Sequence, residues 1–252
     1  MKAEPVILIV TAVNIETAPI QKNLRHVREL KIGKKNAFSG NLYDQPIMLI
    51  QSGIGMANAV QAATAVIEQL HVQLIINVGC AGVFSESGLS IGDIGIATKE
   101  IDCHAGIESS SLETPLEPLP FPLIQTENQA FWGTYPTSKI YTDQAFNILS
   151  HALAPQNIQV KKTPFLSVST ITASETNARR LYAYFHAGME NMEGGGIAHT
   201  ALHYGIPFIA IRAGSNVVGD RDKARWQLKQ AVERSGEALC LLFEMDALSS
   251  VK

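Results

Sequence analysis

A carboxylate and a carboxamide punctuate the stretch from Gly188 to Asp222, which reads GMENMEGGGIAHTALHYGIPFIAIRAGSNVVGDRD. Glu193 stands in a Met-Glu-Gly-Gly-Gly turn ahead of a helical run, residues 197–204. A strand over 207–213 follows, apolar except for Arg212, and runs out into Ser215-Asn216. In an open α/β sheet, ligands bind beyond the carboxyl ends of the strands, and Glu193 and Asn216 both fall where such ends are expected. An ionised carboxylate only accepts hydrogen bonds, whereas an amide donates and accepts, so the two together are equipped to hold a polar ligand. Taken singly, each has a plainer role: Glu193 as a helix-start carboxylate favoured by the macrodipole, Asn216 as a turn residue. Gly194, Gly195 and Gly196 cost ~1 kcal/mol each relative to Ala in a helix interior. Close approach of the backbone to a ligand or a neighbouring strand is the expected cause.

The elements that hold these residues follow from hydropathy. Residues 5–12 are almost wholly β-prone and apolar, as in a strand covered on both faces. Residues 15–30 read as a helix with Asn14 as candidate N-cap and Pro19 in its first turn. Residues 37–43 and 46–51 read as a hairpin through Asp44-Gln45. A tight Ser52-Gly53-Ile54-Gly55 loop leads into a helix over 56–70. A buried strand over 74–78 ends in Gly79-Cys80-Ala81-Gly82, and 95–103 form a further strand. Residues 105–136 lack periodicity and carry Pro115, Pro118, Pro120, Pro122 and Pro136. A structureless loop of that length is usually functional or disordered, and a lid or subunit contact is expected. Residues 142–153 and 175–185 read as helices, 164–171 as a strand. Residues 223–245 read as a terminal helix with Trp226, Leu228, Ala231, Ala238, Leu241 and Leu242 on one face. The alternation predicts an α/β fold in a single domain over residues 1–252: a three-layer sandwich with a mixed, largely parallel central sheet and helices on both faces.

Composition narrows the function classes. At 252 residues, 46% hydrophobic and 17% charged, the chain suits a compact globule with a real core. A net charge of −3 and a pI near 6.2 give no steering toward nucleic acid or anionic membrane; Lys31, Lys34 and Lys35 read as a solvated turn. Cys80, Cys103 and Cys240 are far apart with no C-x-x-C, which argues against a disulfide framework or structural zinc and suits a cytoplasmic setting. The apolar opening has Glu4 in place of a basic n-region and is expected to be a strand, not a signal peptide. No run approaches the ~20 apolar residues of a membrane span. Gly53-Ile54-Gly55 is not a dinucleotide fingerprint, because Asn58 stands at the third glycine position. His199 and His203 share a helix but lack a placed third metal ligand. No cofactor or metal is expected.

Six segments then occur in order along nearly the whole chain: VTAVNIETAPI, SGIGMANAV, INVGCAGVFSESGLSIGDIGIAT, VSTITAS, ENMEGGGIAH and IRAGSNVVGDRDKARW. In that combination the chain resembles the nucleoside phosphorylase and methylthioadenosine/S-adenosylhomocysteine nucleosidase superfamily, and within it the futalosine hydrolases. The resemblance implies a nucleoside phosphorylase-like fold, a homodimer or larger assembly, and hydrolysis of futalosine to hypoxanthine in the alternative menaquinone pathway. It places Glu193 at the carboxylate that binds the ribose hydroxyls, with Met192 under the sugar, and Glu16 at the carboxylate that holds and deprotonates water. Cys80, Ala81 and Gly82 line the base and sugar pocket, with cysteine where serine or threonine is more usual. Asn216 falls where the adenine-specific nucleosidases carry an aspartate general acid, and Thr172-Ala173-Ser174 where they carry a stacking phenylalanine. Both departures point away from methylthioadenosine.

The chemistry matches those roles. Cleavage of an N-ribosidic bond makes the sugar resemble an oxocarbenium ion, which a carboxylate at the 2′-hydroxyl stabilises most in the transition state. A second carboxylate that takes the proton of water is worth ~10²–10⁴-fold. An amide at residue 216 donates to O6 or N7 of a 6-oxopurine. Trp226 is a candidate to line a channel for the aromatic tail, and Arg221 or Arg225 to meet its carboxylate, unless these arginines are surface charges at a helix start. The alternatives are a methylthioadenosine/S-adenosylhomocysteine or aminodeoxyfutalosine nucleosidase, a purine nucleoside phosphorylase, and a non-enzymatic purine-binding protein. A phosphorylase would need arginines near the first glycine loop, and residues 52–60 have none.

Overall fold

In the computed structural model, which describes residues 4–110 and 115–248, the first apolar run becomes β1 (Val6–Thr11). Ile7 and Ile9 enter one core and Leu8 and Val10 another, as a strand covered on both faces requires. β2 (Arg25–Ile32), β3 (Lys35–Leu42) and β4 (Gln45–Gln51) form an antiparallel ribbon. β4 and β5 (Val72–Val83) flank β1, both parallel to it. After β6 (Ile94–Asp102) come four two-residue strands, β7 (Ile107–Glu108), β8 (Leu116–Glu117), β9 (Ile124–Gln125) and β10 (Ala130–Phe131), and then β11 (Thr134–Pro136). β12 (Val160–Ser167), β13 (Met189–Asn191) and β14 (Phe208–Val217) complete a ten-stranded mixed sheet, ordered β11-β6-β12-β13-β5-β1-β4-β3-β2. β14 pairs with both β5 and β6, so β5, β14, β6, β12 and β13 close into a ring.

The helices are α1 (Asn14–Gln21), α2 (Met56–Ile67), α3 (Lys139–Ala152), α4 (Glu175–Phe185), α5 (Gly194–Tyr204) and α6 (Leu228–Glu244). α1, α3 and α6 bury Ile20, Leu149 and Leu239 against one face of the sheet; α2 and α5 bury Ala62 and Ile197 against the other. α4 packs Ala178 and Leu181 into a smaller cluster with Phe84, Leu166 and Val218. The result is the expected α/β layering with helices on both faces. Among the described residues no helix is long and apolar enough to cross a membrane.

Several boundaries differ from the sequence-based expectation. The helix over 15–30 stops at Gln21, and residues 25–32 are β2, an edge strand whose side chains are exposed up to Ile32. An edge facing water needs no apolar alternation, so its charged residues imitate a helix surface. Asn14 is the first helical residue and not the cap; Pro19 lies inside the helix. The hairpin turns at Tyr43-Asp44, one residue early, with Tyr43 at φ 50°. The strand over 164–171 is shifted to Val160–Ser167, with Pro164 accommodated at a register break between Thr163 and Phe165.

The strand over 74–78 runs on through Gly79-Cys80-Ala81-Gly82 to Val83. Those glycines serve close packing, not a turn: a Cβ at Gly79 would lie 2.2 Å from Glu16 Oε1, and one at Gly82 2.9 Å from Val218 Cγ2. β14 likewise extends to Val217 and takes Ser215 and Asn216 into the sheet. The terminal helix begins at Leu228, after a 3₁₀ turn at Lys223–Arg225, so Trp226 precedes it. Residues 105–136 are not structureless in their described part, since two small antiparallel pairs and β11 lie within them.

Candidate active site

Parallel strands β1 and β4 deliver their carboxyl ends to one place, where ligands gather in such sheets. β1 leads into α1, whose third residue is Glu16. Its Oε2 accepts from the backbone N–H groups of Ala12 (2.9 Å) and Val13 (3.3 Å). Its Oε1 accepts from Cys80 N–H (2.9 Å) and from the Cys80 thiol (3.4 Å). Charge-assisted bonds of this kind are among the stronger ones, and they tie α1 to β5. Burial, with Glu16 alongside, pushes the Cys80 thiol up to about 12. It is therefore a neutral donor at ordinary pH and no thiolate nucleophile.

β4 leads into the glycine loop, and Gly55 N–H donates to Glu193 Oε1 (3.0 Å). Glu193 occupies the N-cap of α5, as its helix-start role requires, yet its side chain makes no capping bond. The first N–H groups of the helix are served by others: Glu193 and Gly194 donate to Asn191 Oδ1 (3.0 and 2.7 Å), and Gly195 donates to Ser167 Oγ (2.7 Å). Glu193 is thereby free to face Arg212, whose Nη2 stands 3.4 Å from Oε2, with both residues almost wholly buried. Arg212 also donates to Cys80 O (3.3 Å) and to Asn77 Oδ1. Burial works against its charge, but Glu193, Glu16 and Glu100 together hold its pKa above the ordinary value.

The three glycines of α5 have a protein cause. A Cβ at Gly194 would lie 2.1 Å from Glu100 Oε1, one at Gly195 3.0 Å from Ser167 Cβ, and one at Gly196 2.9 Å from Val60 Cγ2. Strand neighbours and α2, not open space for a ligand, exclude larger side chains there. Glu100 is fully buried, accepts from Asn191 Nδ2 and Ser167 Oγ (both 3.0 Å), and leaves Oε1 without a partner. Burial pushes it up to about 7, partly offset by those two hydrogen bonds. Its ordinary value is 4.5, so the folded state binds the extra proton between about 4.5 and 7, and stability falls as pH rises through that window. The full difference is on the order of 3 kcal/mol. Glu100→Gln is expected to flatten the fall in melting temperature between pH 5 and 7.5; an unchanged slope would show that Glu100 does not titrate there.

A second group lies further along β5 and β14. Asn216 is half-buried and in register with Gly82. Its Nδ2 donates to Val217 O (3.1 Å), leaving one N–H unused. Ser215 Oγ lies 3.1 Å from Ala81 O and 2.8 Å from Asn216 Oδ1. Thr172 is buried in the loop after β12 and donates its N–H (3.2 Å) and its hydroxyl to Glu190; Ala173 beside it is exposed. Met192 packs against the Phe84–Val218 cluster. Trp226 is half-buried, bonds Asp220 O through Nε1 (3.2 Å), and carries the Arg221 guanidinium 4.8 Å from its ring centroid. Arg225 is engaged by Asp220 and Asp222.

The structure thus brings Glu16, Cys80 and Glu193 together around Arg212, and Ala81, Gly82 and Asn216 along the same two strands. Arg212, Asn77, Glu100, Asn191 and Glu190 were not among the residues that sequence reasoning marked for the site. Arg212 and Asn77 had a signal, each as a lone polar side chain in an apolar strand; Glu100, Asn191 and Glu190 stand among other polar residues and had none.

A family model described as the phosphorylase superfamily matches residues 6–244. A methylthioadenosine/S-adenosylhomocysteine nucleosidase of Staphylococcus epidermidis is 26% identical over 242 residues, covering 94% of this chain and 98% of its own. A futalosine hydrolase of Thermus thermophilus is 26% identical over 190 residues, covering 75% and 78%. Among solved structures, the nucleosidase of Neisseria meningitidis in complex with methylthio-immucillin-A superposes with a TM-score of 0.81 at 20% identity, covering 96% of this chain and 100% of that one. A futalosine hydrolase of Helicobacter pylori gives 0.78 at 21% identity, covering 95% and 98%. The two structures bear out the fold.

Proposed function

The chain belongs to the phosphorylase superfamily, and on that premise we propose that it is an N-ribosidic hydrolase that releases hypoxanthine from futalosine. The observation that carries this reading is the placement of two buried carboxylates, Glu16 and Glu193, close to one buried arginine. Glu193 binds the ribose hydroxyls and stabilises the cationic sugar, with Met192 beneath it. Glu16 holds the attacking water and takes its proton. Arg212 offsets the charge of both, since unpaired buried charges are costly. Cys80, Ala81 and Gly82 form the wall between sugar and base, and Thr172 and Ala173 border the base. No metal or organic cofactor has a part in these steps.

Hydrolysis is favoured over phosphorolysis by the glycine loop, which offers no arginine to a phosphate, and by Glu16, whose charge would repel a dianion. For the substrate tail, the exposed Ile15, Ile54 and Ile171, which precede Glu16, Gly55 and Thr172 in the chain, are the candidates for an apolar rim. Trp226 extends it, and Arg221 on its face is the cation nearest in kind to what a tail carboxylate needs. A homodimer or larger assembly goes with this reading, its contact expected over the apolar groove lined by Met56, Val60, Leu123 and Tyr135. The S. epidermidis relative, matched over more of its length than the T. thermophilus one, supports a methylthioadenosine/S-adenosylhomocysteine nucleosidase as a second reading.

Incubation with futalosine, inosine, methylthioadenosine and aminodeoxyfutalosine, followed by chromatography of the released base, separates these. Fastest release from futalosine is expected; preference for methylthioadenosine would favour the second reading, and no release from any would leave a purine-binding protein. Asn216 supplies the physical basis. Its free N–H donates to O6 or N7 of an oxopurine but cannot protonate N7 of adenine, a poor leaving group. Asn216→Asp is therefore expected to depress futalosine hydrolysis and raise relative kcat/KM on aminodeoxyfutalosine by roughly 10-fold or more; sites built on hydrogen bonds reject mismatched partners by up to about 10⁴-fold. An unchanged ratio would mean that Asn216 does not face the purine.

A further inference from the structure

Glu190 has no part in the chemistry above, yet its position is defined. It lies on β13 opposite Gly82 of β5, and Gly82 in turn lies opposite Asn216 of β14. Residues in register across neighbouring strands project from the same face. Two polar side chains thus flank one glycine, at strand spacings of about 4.8 Å on either side. A Cβ at Gly82 would lie 3.5 Å from Asn216 Nδ2 and 3.9 Å from Glu190 Cβ, so the Asn216 amide and the base of the Glu190 side chain border the space above the glycine. Glu190 is 8% exposed, and both its oxygens are held by Thr172. Burial raises its pKa, and the exposed Arg221 and the Thr172 donors work against that rise. A carboxylate has about four lone-pair sites, so two remain after Thr172 has donated twice.

The two side chains differ in kind. Asn216 offers a donor; Glu190, when ionised, offers acceptors alone. The edge of a 6-oxopurine carries an acceptor, O6, beside a donor, N1–H, and is complementary to that pair. Adenine carries an amino donor beside a bare N1, which a carboxylate would repel. We propose that Glu190 is a specificity-determining residue that accepts the ring N–H of a 6-oxopurine, working across Gly82 from Asn216 and held in place by Thr172. This rests on the purine nucleosidase reading and deepens it, since it assigns the base class to a pair of side chains, not to Asn216 alone.

The test is equilibrium binding of hypoxanthine, 1-methylhypoxanthine and adenine to the wild type, Glu190→Gln and Glu190→Leu, alongside base release from futalosine. The methylated base keeps O6 and N7 but lacks the N1–H. The wild type is expected to prefer hypoxanthine over both other bases by roughly 10²-fold or more. Glu190→Gln is expected to reduce that preference and Glu190→Leu to bring the ratio to 1-methylhypoxanthine close to one. Each ratio is taken within one protein, so a general loss of stability moves both bases alike; if Glu190→Leu does not fold, Glu190→Asp, with its acceptor withdrawn, supplies the same comparison. A preference that is unchanged in the variants overturns the role of Glu190, even where the wild type releases hypoxanthine. A wild type that binds no purine and releases no base overturns the nucleosidase reading itself.

Discussion

Glu193→Gln is expected to leave the fold intact and to lower kcat on the nucleoside substrate by roughly 10²–10³-fold, the cost of removing one preorganised electrostatic group from a transition state. Glutamine has the same shape and can still accept the Gly55 N–H that Glu193 Oε1 receives at 3.0 Å. Arg212 keeps Asn77, the Cys80 carbonyl and the nearby Glu16, so no bare cation is left buried. In the proposed role, what is lost is a full negative charge beside the sugar as it becomes cationic. That contact strengthens on the way to the transition state, so the loss belongs in kcat and equally in kcat/KM. An effect confined to KM would reduce Glu193 to ground-state binding.

Arg212→Met is expected to lower stability more than any other single change at the site. It removes the cation that Glu193, Glu16 and Glu100 surround, and breaking a buried pair in this way costs about 3–5 kcal/mol. For a chain of this size that is a fall in melting temperature of roughly 6–20 °C. Arg212→Lys keeps the charge but lacks the planar fork that reaches Asn77, Cys80 and Glu193 together, and an intermediate loss is expected. Thermal unfolding of the three proteins at neutral pH checks this. A loss below about 1 kcal/mol for Arg212→Met would show that the carboxylates do not depend on that arginine.

Glu16 and Glu193 were legible because each follows a strand and opens a helix, whereas Cys80, Ala81, Gly82 and Asn216 lie within strands that run past their expected ends. Glu16 follows a strand that is apolar up to its last residue, Thr11, and Glu193 precedes three glycines. The glycines were visible but their cause was not: Gly79 and Gly194 exist to leave room for Glu16 and Glu100, contacts made across 63 and 94 residues of chain. The same distance hid Glu190, whose meaning depends on its register with Gly82 and hence with Asn216. β2 was read as helix because an edge strand carries no buried face to set a period of two. The closing of five strands into a ring was likewise beyond reach, since β14 pairs on both sides and alternation of elements does not say so.

The most direct measurement of the central claim is turnover of futalosine in ¹⁸O-labelled water, with and without inorganic phosphate, using mass analysis of the sugar product. If Glu16 directs water at C1′, hypoxanthine forms at the same rate without phosphate, and the freed sugar carries one ¹⁸O at the anomeric position. Strict dependence on phosphate, with an unlabelled sugar 1-phosphate as product, would contradict it.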